Sequence, residues 1–194
     1  MRRLSAARTL LLPVDVTVPA WLDFGGSRFR RKIEHHVTVF GTTAGRLLAA
    51  ATDAALAERV DALAATFDFD VRPRDEYLWV VEPDGGGARL ETIVAMVDAR
   101  LDAFRAAVSA VLEGADETPD PAAARELVAW LRTPAAPHVT LYTTDPDGRR
   151  GIGLRDADEL GEALARGAAF DATGLAARPI DARALPPPRW GAAR

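Results

Sequence analysis

Two short stretches of the chain say almost the same thing: HVTVFGT at residues 36–42 and HVTLYTT at residues 138–144. Aligned without a gap, His36, Val37, Thr38 and Thr42 match His138, Val139, Thr140 and Thr144, while Val39 stands against Leu141 and Phe40 against Tyr142. The chain has only three histidines, and this repeat takes two of them, 102 residues apart. Both stretches are rich in β-prone residues, and successive side chains of a strand point to opposite faces. Each copy therefore sets an imidazole and a hydroxyl on one face, about 7 Å apart at Cα. A near-repeat of this kind suggests two related lobes facing each other.

The rest of the chain follows its local patterns. TLLLPVDVTV (9–18) reads as a strand and PAWLDFGGS as a loop punctuated by Pro19, Gly25 and Gly26. A second strand is expected over about 29–40, with Ile33, Val37 and Val39 on its core face and Lys32, His36, Thr38 and Phe40 opposite. Leu48, Leu56, Val60 and Leu63 form a helical stripe over 44–65. FDFDV (67–71) alternates as a half-buried strand does, YLWVV (77–81) is a continuous β-prone run, and EPDGGG closes it with a turn.

Leu90, Ile93, Val94, Val97, Leu101, Phe104, Val108 and Leu112 keep helical spacing, which predicts one helix over 90–112. Asp120 as N-cap and Pro121 in the first helical position announce another, running to about Arg132. HVTLYTT is a strand left through the turn DPDG. GIGL then pairs back as a short strand, a helix follows at 156–166, and ALPPPRWGAAR reads as a polyproline-type arm rather than core, with Trp190 either docking it or exposed. The expected class is α+β: a bilobal, pseudo-two-fold arrangement of mixed or antiparallel sheets with outer helices, and a central cleft carrying the two H-x-T motifs. Residues 1–184 form one domain of two lobes and 185–194 a Pro-rich tail.

Composition narrows the chemistry. The 194 residues, 48% apolar and 27% charged, suffice for one proper core. A net charge of −4 supplies no global attraction to nucleic acid or an acidic membrane, so a polyanion would need a local patch. The lack of cysteine removes disulfides, thiolate catalysis and Cys-ligated metals together. The apolar run near the start is broken by Pro13 and Asp15, and no stretch approaches the roughly 20 residues of a membrane span. A monomeric cytoplasmic protein without membrane contact is expected.

An imidazole has an unperturbed pKa of about 6.5, so of two facing rings one can act as base and the other as acid. That pair suits cleavage of a P–O bond: one histidine deprotonates an attacking water and the other protonates the leaving oxygen. Hydroxyls beside them can donate to the non-bridging oxygens. No metal or other cofactor is required. With His36-Val37-Thr38-Val39 and His138-Val139-Thr140-Leu141 the chain resembles the two-histidine (2H) phosphoesterases, which include RNA 2′,3′-cyclic phosphodiesterases and the so-called 2′-5′ RNA ligases. The resemblance spans roughly residues 9 to 171. It implies a bilobal fold with a central cleft and metal-independent chemistry at a cyclic or ordinary phosphodiester. It further implies that His36 and His138 are the acid/base pair, with Thr38 and Thr140 binding phosphate.

The expected activity is hydrolysis of a 2′,3′-cyclic phosphate on a nucleotide or RNA terminus. The alternatives are a nucleotide- or RNA-binding module with little turnover, and an RNA ligase or transferase running the reverse reaction. Phe40 and Tyr142, two residues past each threonine, are candidate cleft walls that would stack on a base or ribose. Arg30, Lys32, Arg149 and Arg150 are candidate phosphate or RNA-backbone contacts, with Arg30 and Lys32 on the His36 face. His35 falls on the opposite face from His36 and is assigned a structural role; Glu34, His35 and His36 lack zinc-ligand spacing.

Overall fold

Thr92, Ile93, Val94, Ala95 and Val97 are all buried, and a run apolar on both faces is what a central strand requires. The computed structural model, which describes residues 9–83, 89–115, 117–167 and 174–191, is α+β and divides into two compact units.

The first unit comprises residues 1–12, 38–70 and 99–135 and is mainly helical. It holds most of β1 (Leu10–Pro13), the latter part of β5 (His36–Phe40), α1 (Thr42–Ala51), α2 (Ala54–Thr66), α3 (Leu101–Glu113) and α4 (Pro121–Arg132). The helix expected over 44–65 is two, because the Asp53 carboxylate accepts the Leu56 N–H at 2.8 Å and starts α2 afresh. Asp120 caps α4 as expected, accepting from the N–H groups of Ala122 and Ala123 at 2.9 and 3.0 Å, with Pro121 in the first turn. Phe104 sits at the centre of an aromatic core, its ring centroid 5.7 Å from Phe40, 5.2 Å from Phe67 and 4.9 Å from Phe69.

The second unit, residues 13–37, 71–98 and 136–194, is built on an antiparallel sheet. Its strands are β2 (Val16–Thr17), β3 (Trp21–Phe24), β4 (Ser27–Arg31), the start of β5, β6 (Arg72–Pro83), β7 (Arg89–Asp98), β8 (His138–Thr143), β9 (Ala176–Ile180) and β10 (Arg189–Trp190), with one helix, α5 (Ala157–Arg166). From β5 the order is β5-β8-β7-β6-β9; β4 also pairs with β8, and β3 pairs with β4. Phe24-Gly25-Gly26-Ser27 turns the β3–β4 hairpin. Gly25 there has φ +60°, and an added Cβ would fall 2.5 Å from the Trp79 ring.

Pairing register shows which side chains share a face. Ile93 is opposite Tyr142 and Val94 is opposite Thr140, which leaves Leu141 as an extra residue on β8. This β-bulge reverses the alternation, so Thr140 and Tyr142 lie on opposite faces of the sheet. One face carries Leu78, Val80, Leu90, Val94 and Met96, covered by Ile152, Leu154 and Ala163 of the following loop and α5. Thr140 and, two residues before it, His138 belong to this face, at the margin of that cover.

Several local expectations need correction. Residues 89–98 are strand β7, and the expected helix begins only at Leu101 as α3. Residues 67–71 form no strand; β6 starts at Arg72. The first strand splits into β1 and β2, the following loop contains β3, and 29–40 divides into β4 and β5 around residues 32–35. GIGL is not a strand, although Ile152 and Leu154 are buried. Of the two outcomes open for the C-terminal arm, docking is the one seen: Arg189 and Trp190 pair with Thr17 and Val16, and Leu185 is buried. The EPDGGG turn falls largely on residues 84–88, outside the described residues, whereas the DPDG turn is present, with the Gly148 N–H donating to the Asp145 carbonyl at 3.0 Å.

Candidate active site

Val37 of β5 and Val139 of β8 are partners in an antiparallel pair, and both side chains are fully buried. Alternation turns their neighbours to the other face, and the same register sets His36 across from Thr140. Directly opposed residues have Cβ atoms about 4.5–5.5 Å apart, so the imidazole of one copy of the repeat stands beside the hydroxyl of the other. His138 follows on that face, roughly 7 Å along β8 from Thr140. Thr38 alternates to the His36 side of β5 and is exposed; it belongs to the first unit.

The histidines differ in their surroundings. His138 is buried, and its Nδ1 lies 2.9 Å from the Ala136 carbonyl oxygen. A carbonyl only accepts, so Nδ1 carries the proton and donates, leaving the lone pair on Nε2. The Leu154 N–H points at that lone pair from 3.5 Å. Burial pushes the His138 pKa below its usual 6.5, against the opposing pull of the Ala136 carbonyl and Glu159. His36 is half-buried; burial lowers its pKa and the Lys32 charge lowers it further, while Glu34 opposes both and the charges of His138 and His35 add a downward pull. His35 Nδ1 lies 3.0 Å from the Thr140 carbonyl oxygen, a latch onto β8 where the chain loops out between β4 and β5, in keeping with a structural role.

Lys32 comes close to the pair. Its side chain is buried, and its ammonium donates to the Arg149 carbonyl. Burial lowers its pKa, opposed by Glu34 and Asp145. The loop after β8 is laced back toward this region: the Asp145 carboxylate accepts the N–H groups of Arg149 and Arg150 at 2.8 and 3.0 Å, and the Ile33 N–H donates to the Gly148 carbonyl at 3.0 Å. Arg30 reaches the same loop, donating to the Pro146 carbonyl, and so sits farther along the sheet than the histidines. Arg149 and Arg150 are exposed.

Gly151 was not singled out from sequence. A Cβ there would lie 3.2 Å from Lys32 Cε and 3.4 Å from both Cγ2 and Oγ1 of Thr140, so the backbone of the loop passes directly over the hydroxyl. The available signal was the pair of glycines in GIGL, just past the second motif.

Two expected wall residues are elsewhere. Phe40, only 1% exposed, packs on Phe104 and Trp130 with centroids 5.7 and 6.0 Å apart. It ends its strand immediately before Gly41 caps α1, and turns into the aromatic core of the first unit. Tyr142 is also 1% exposed, turned away from Thr140 by the Leu141 bulge, and burial raises its hydroxyl pKa to about 12. Neither lines an open cleft.

Two grooves of about 470 Å³ run beside α3 and α4, and neither contains a histidine. Among the described residues no three His, Cys, Asp or Glu side chains are grouped as a metal-ligand set, and no helix is long and apolar enough to cross a membrane. Comparison with family models, curated proteins and solved structures gave no match.

Proposed function

We propose that the chain is a phosphodiesterase that opens a 2′,3′-cyclic phosphate on a nucleotide or RNA end, with His138 as general base and His36 as general acid. What carries this reading is the antiparallel register at Val37 and Val139, which faces His36 to Thr140 and puts His138 on the same side. An antiparallel pair has local two-fold symmetry about a facing residue pair, and two H-x-T stretches centred there supply paired acid/base and anion-binding groups.

The assignment of roles follows from the environments. His138, buried with its proton held on Nδ1 by Ala136, favours the neutral ring with Nε2 as acceptor. His36 is more open; burial and the Lys32 charge lower its pKa as well, with Glu34 opposing them, so its proton must be held by the bound substrate. A bound phosphodiester adds a negative charge, which raises the pKa of the acid when it is needed. Water attacks phosphorus and passes its proton to His138 Nε2, whose long 3.5 Å contact with the Leu154 N–H is given up in the step. The bond from phosphorus to one ribose oxygen breaks, and that oxygen takes the proton of His36, leaving a phosphate monoester. Thr140 donates to a non-bridging oxygen, and the Lys32 ammonium offsets the charge.

The test is hydrolysis of 2′,3′-cyclic nucleotides and cyclic-phosphate oligoribonucleotides by the wild type and by His36→Ala and His138→Ala. Each variant should lose roughly 10²- to 10⁴-fold in kcat. Turnover undiminished in either one overturns the mechanism.

A further inference from the structure

Among the described residues Trp21 is one of four large apolar side chains that are exposed, with Leu11, Ile33 and Leu164. It lies in β3 opposite Arg30 of β4, and Arg30 in turn is opposite Thr143 of β8. Thr143 pairs with Thr92, and Thr140 pairs with Val94, two residues on in β7 and thus on the same face. Trp21, Arg30, Thr140 and His138 therefore project from one face of one sheet, and so does His36. The other face of the hairpin packs Phe24 and Phe29 edge-on against Trp79, at 5.6 and 6.4 Å between centroids, which anchors it to the sheet.

The exposed face carries Trp21, 49% accessible, with the guanidinium carbons of Arg28 and Arg30 lying 5.0 and 5.7 Å from its ring centroid. An aromatic ring flanked by guanidinium groups is suited to unpaired nucleobases, which stack on both kinds of plane while the charges meet the phosphates. From strand spacing and rise, Trp21 and Thr140 are about 12 Å apart at Cα. A mononucleotide held by the histidines cannot span that gap, whereas a single strand of two or three nucleotides can. Lys32 follows Arg30 in the chain, and its Cε and the Thr140 hydroxyl lie 3.2 and 3.4 Å from where a Gly151 Cβ would stand; Arg30 and Lys32 each hold a carbonyl of the 146–149 loop, so the track between platform and site is braced.

We infer that Trp21, with Arg28 and Arg30, is a stacking platform for a base of single-stranded RNA upstream of the cyclic phosphate, making RNA ends rather than mononucleotides the preferred substrate class. This inference rests on the proposed phosphodiesterase reading for what occupies the histidines.

The test uses the full chain with oligoribonucleotides of one to six residues ending in a 2′,3′-cyclic phosphate, and the same series ending in a 3′-phosphate for binding by fluorescence anisotropy. In the wild type kcat/KM should rise once the strand is long enough to reach Trp21. Trp21→Ala should remove roughly 5- to 100-fold on the longer strands, leave the cyclic mononucleotide unchanged, and weaken the 3′-phosphate strands comparably. Trp21→Phe should restore most of the loss. Rates independent of length, or equal losses on mononucleotide and oligomer, overturn the platform while leaving the chemistry standing. If no cyclic phosphate is opened, the phosphodiesterase reading fails and the binding arm decides. Single strands preferred over a duplex of the same sequence, and weakened by Trp21→Ala, support the platform; equal binding of both, or indifference to the substitution, overturns it.

Discussion

Replacing Gly151 by alanine tests the site with a single methyl group. The new Cβ would stand 3.4 Å from Thr140 Oγ1 and Cγ2, at ordinary contact distance, and 3.2 Å from Lys32 Cε, close enough that the lysine stem must shift by a few tenths of an ångström. Gly151 is not in the left-handed region, so the backbone itself accepts alanine. Crowding in a packed environment costs about 1–3 kcal/mol, and contact with one flexible side chain belongs at the low end. The loss of freedom in the unfolded chain returns about 0.4–1 kcal/mol. Net stability should therefore stay within about 1 kcal/mol of the wild type in urea unfolding. The same methyl occupies the space in which a phosphate oxygen would meet the Thr140 hydroxyl. Losing a donor of this kind costs about 10²–10³ in rate at related sites, and partial obstruction should cost kcat/KM roughly 10- to 100-fold. Thr140→Val, which removes the hydroxyl with little change of shape, should match or exceed that loss. A Gly151→Ala protein with unchanged stability and unchanged kcat/KM would refute the placement of phosphate over Thr140.

The pH dependence should be shifted toward acid. Burial, the largest cause in each case, holds His36 and His138 below 6.5, so the bell-shaped kcat/KM profile of the free enzyme should peak below about pH 6.5. Stability moves in the same sense: the folded chain resists protonating His35, His36 and His138, whereas the unfolded chain binds those protons near pH 6.5. Their contribution is complete above that pH and is lost as pH falls toward the folded values, so urea midpoints should drop from pH 7.5 to 5.5, and less steeply in His35→Asn/His138→Asn. Phe40→Ala should lose about 3–5 kcal/mol of stability, read by denaturant titration, because the ring is wholly within the aromatic core; in the folded protein its kcat/KM should remain near wild type.

The sequence carries the two histidines, the threonines and their strands openly, because short-period alternation and a repeated motif are local signals. What it hides is set by tertiary surroundings. Strand β7 was legible only as a helix: Leu90, Ile93, Val94 and Val97 fall at helical spacing, but nearly every intervening residue is also buried. A strand covered on both faces shows no alternation, and its apolar run merges without a mark into the real helical stripe that begins at Leu101. The hairpin of β3 and β4 was hidden for the opposite reason. Its exposed face is charged and its buried face is made by Phe24 and Phe29 against Trp79, a residue far along the chain.

The failure at Tyr142 is of a third kind. Strict alternation from Thr140 puts Tyr142 on the face of the histidines, and every residue type in HVTLYTT agrees with that reading. One unpaired residue, Leu141, breaks it: Thr140 meets Val94 while Tyr142 meets Ile93. On its other edge the same part of β8 meets the divided second strand. Arg31 pairs with Tyr142 and Val37 with Val139, so six steps on one chain accompany three on the other, and the surplus is the excursion through residues 32–35. That excursion carries the buried Lys32 ammonium and lets His35 bond the Thr140 carbonyl. Bulges concentrate where a sheet must redirect a side chain, and here the redirection lies between the two halves of the repeat's second copy. Deleting Leu141 would remove the bulge and make Thr140 and Tyr142 consecutive, still opposite Val94 and Ile93, so Tyr142 would stay on the face away from the histidines; only an extra residue opposite Leu141 on β7 would bring it round.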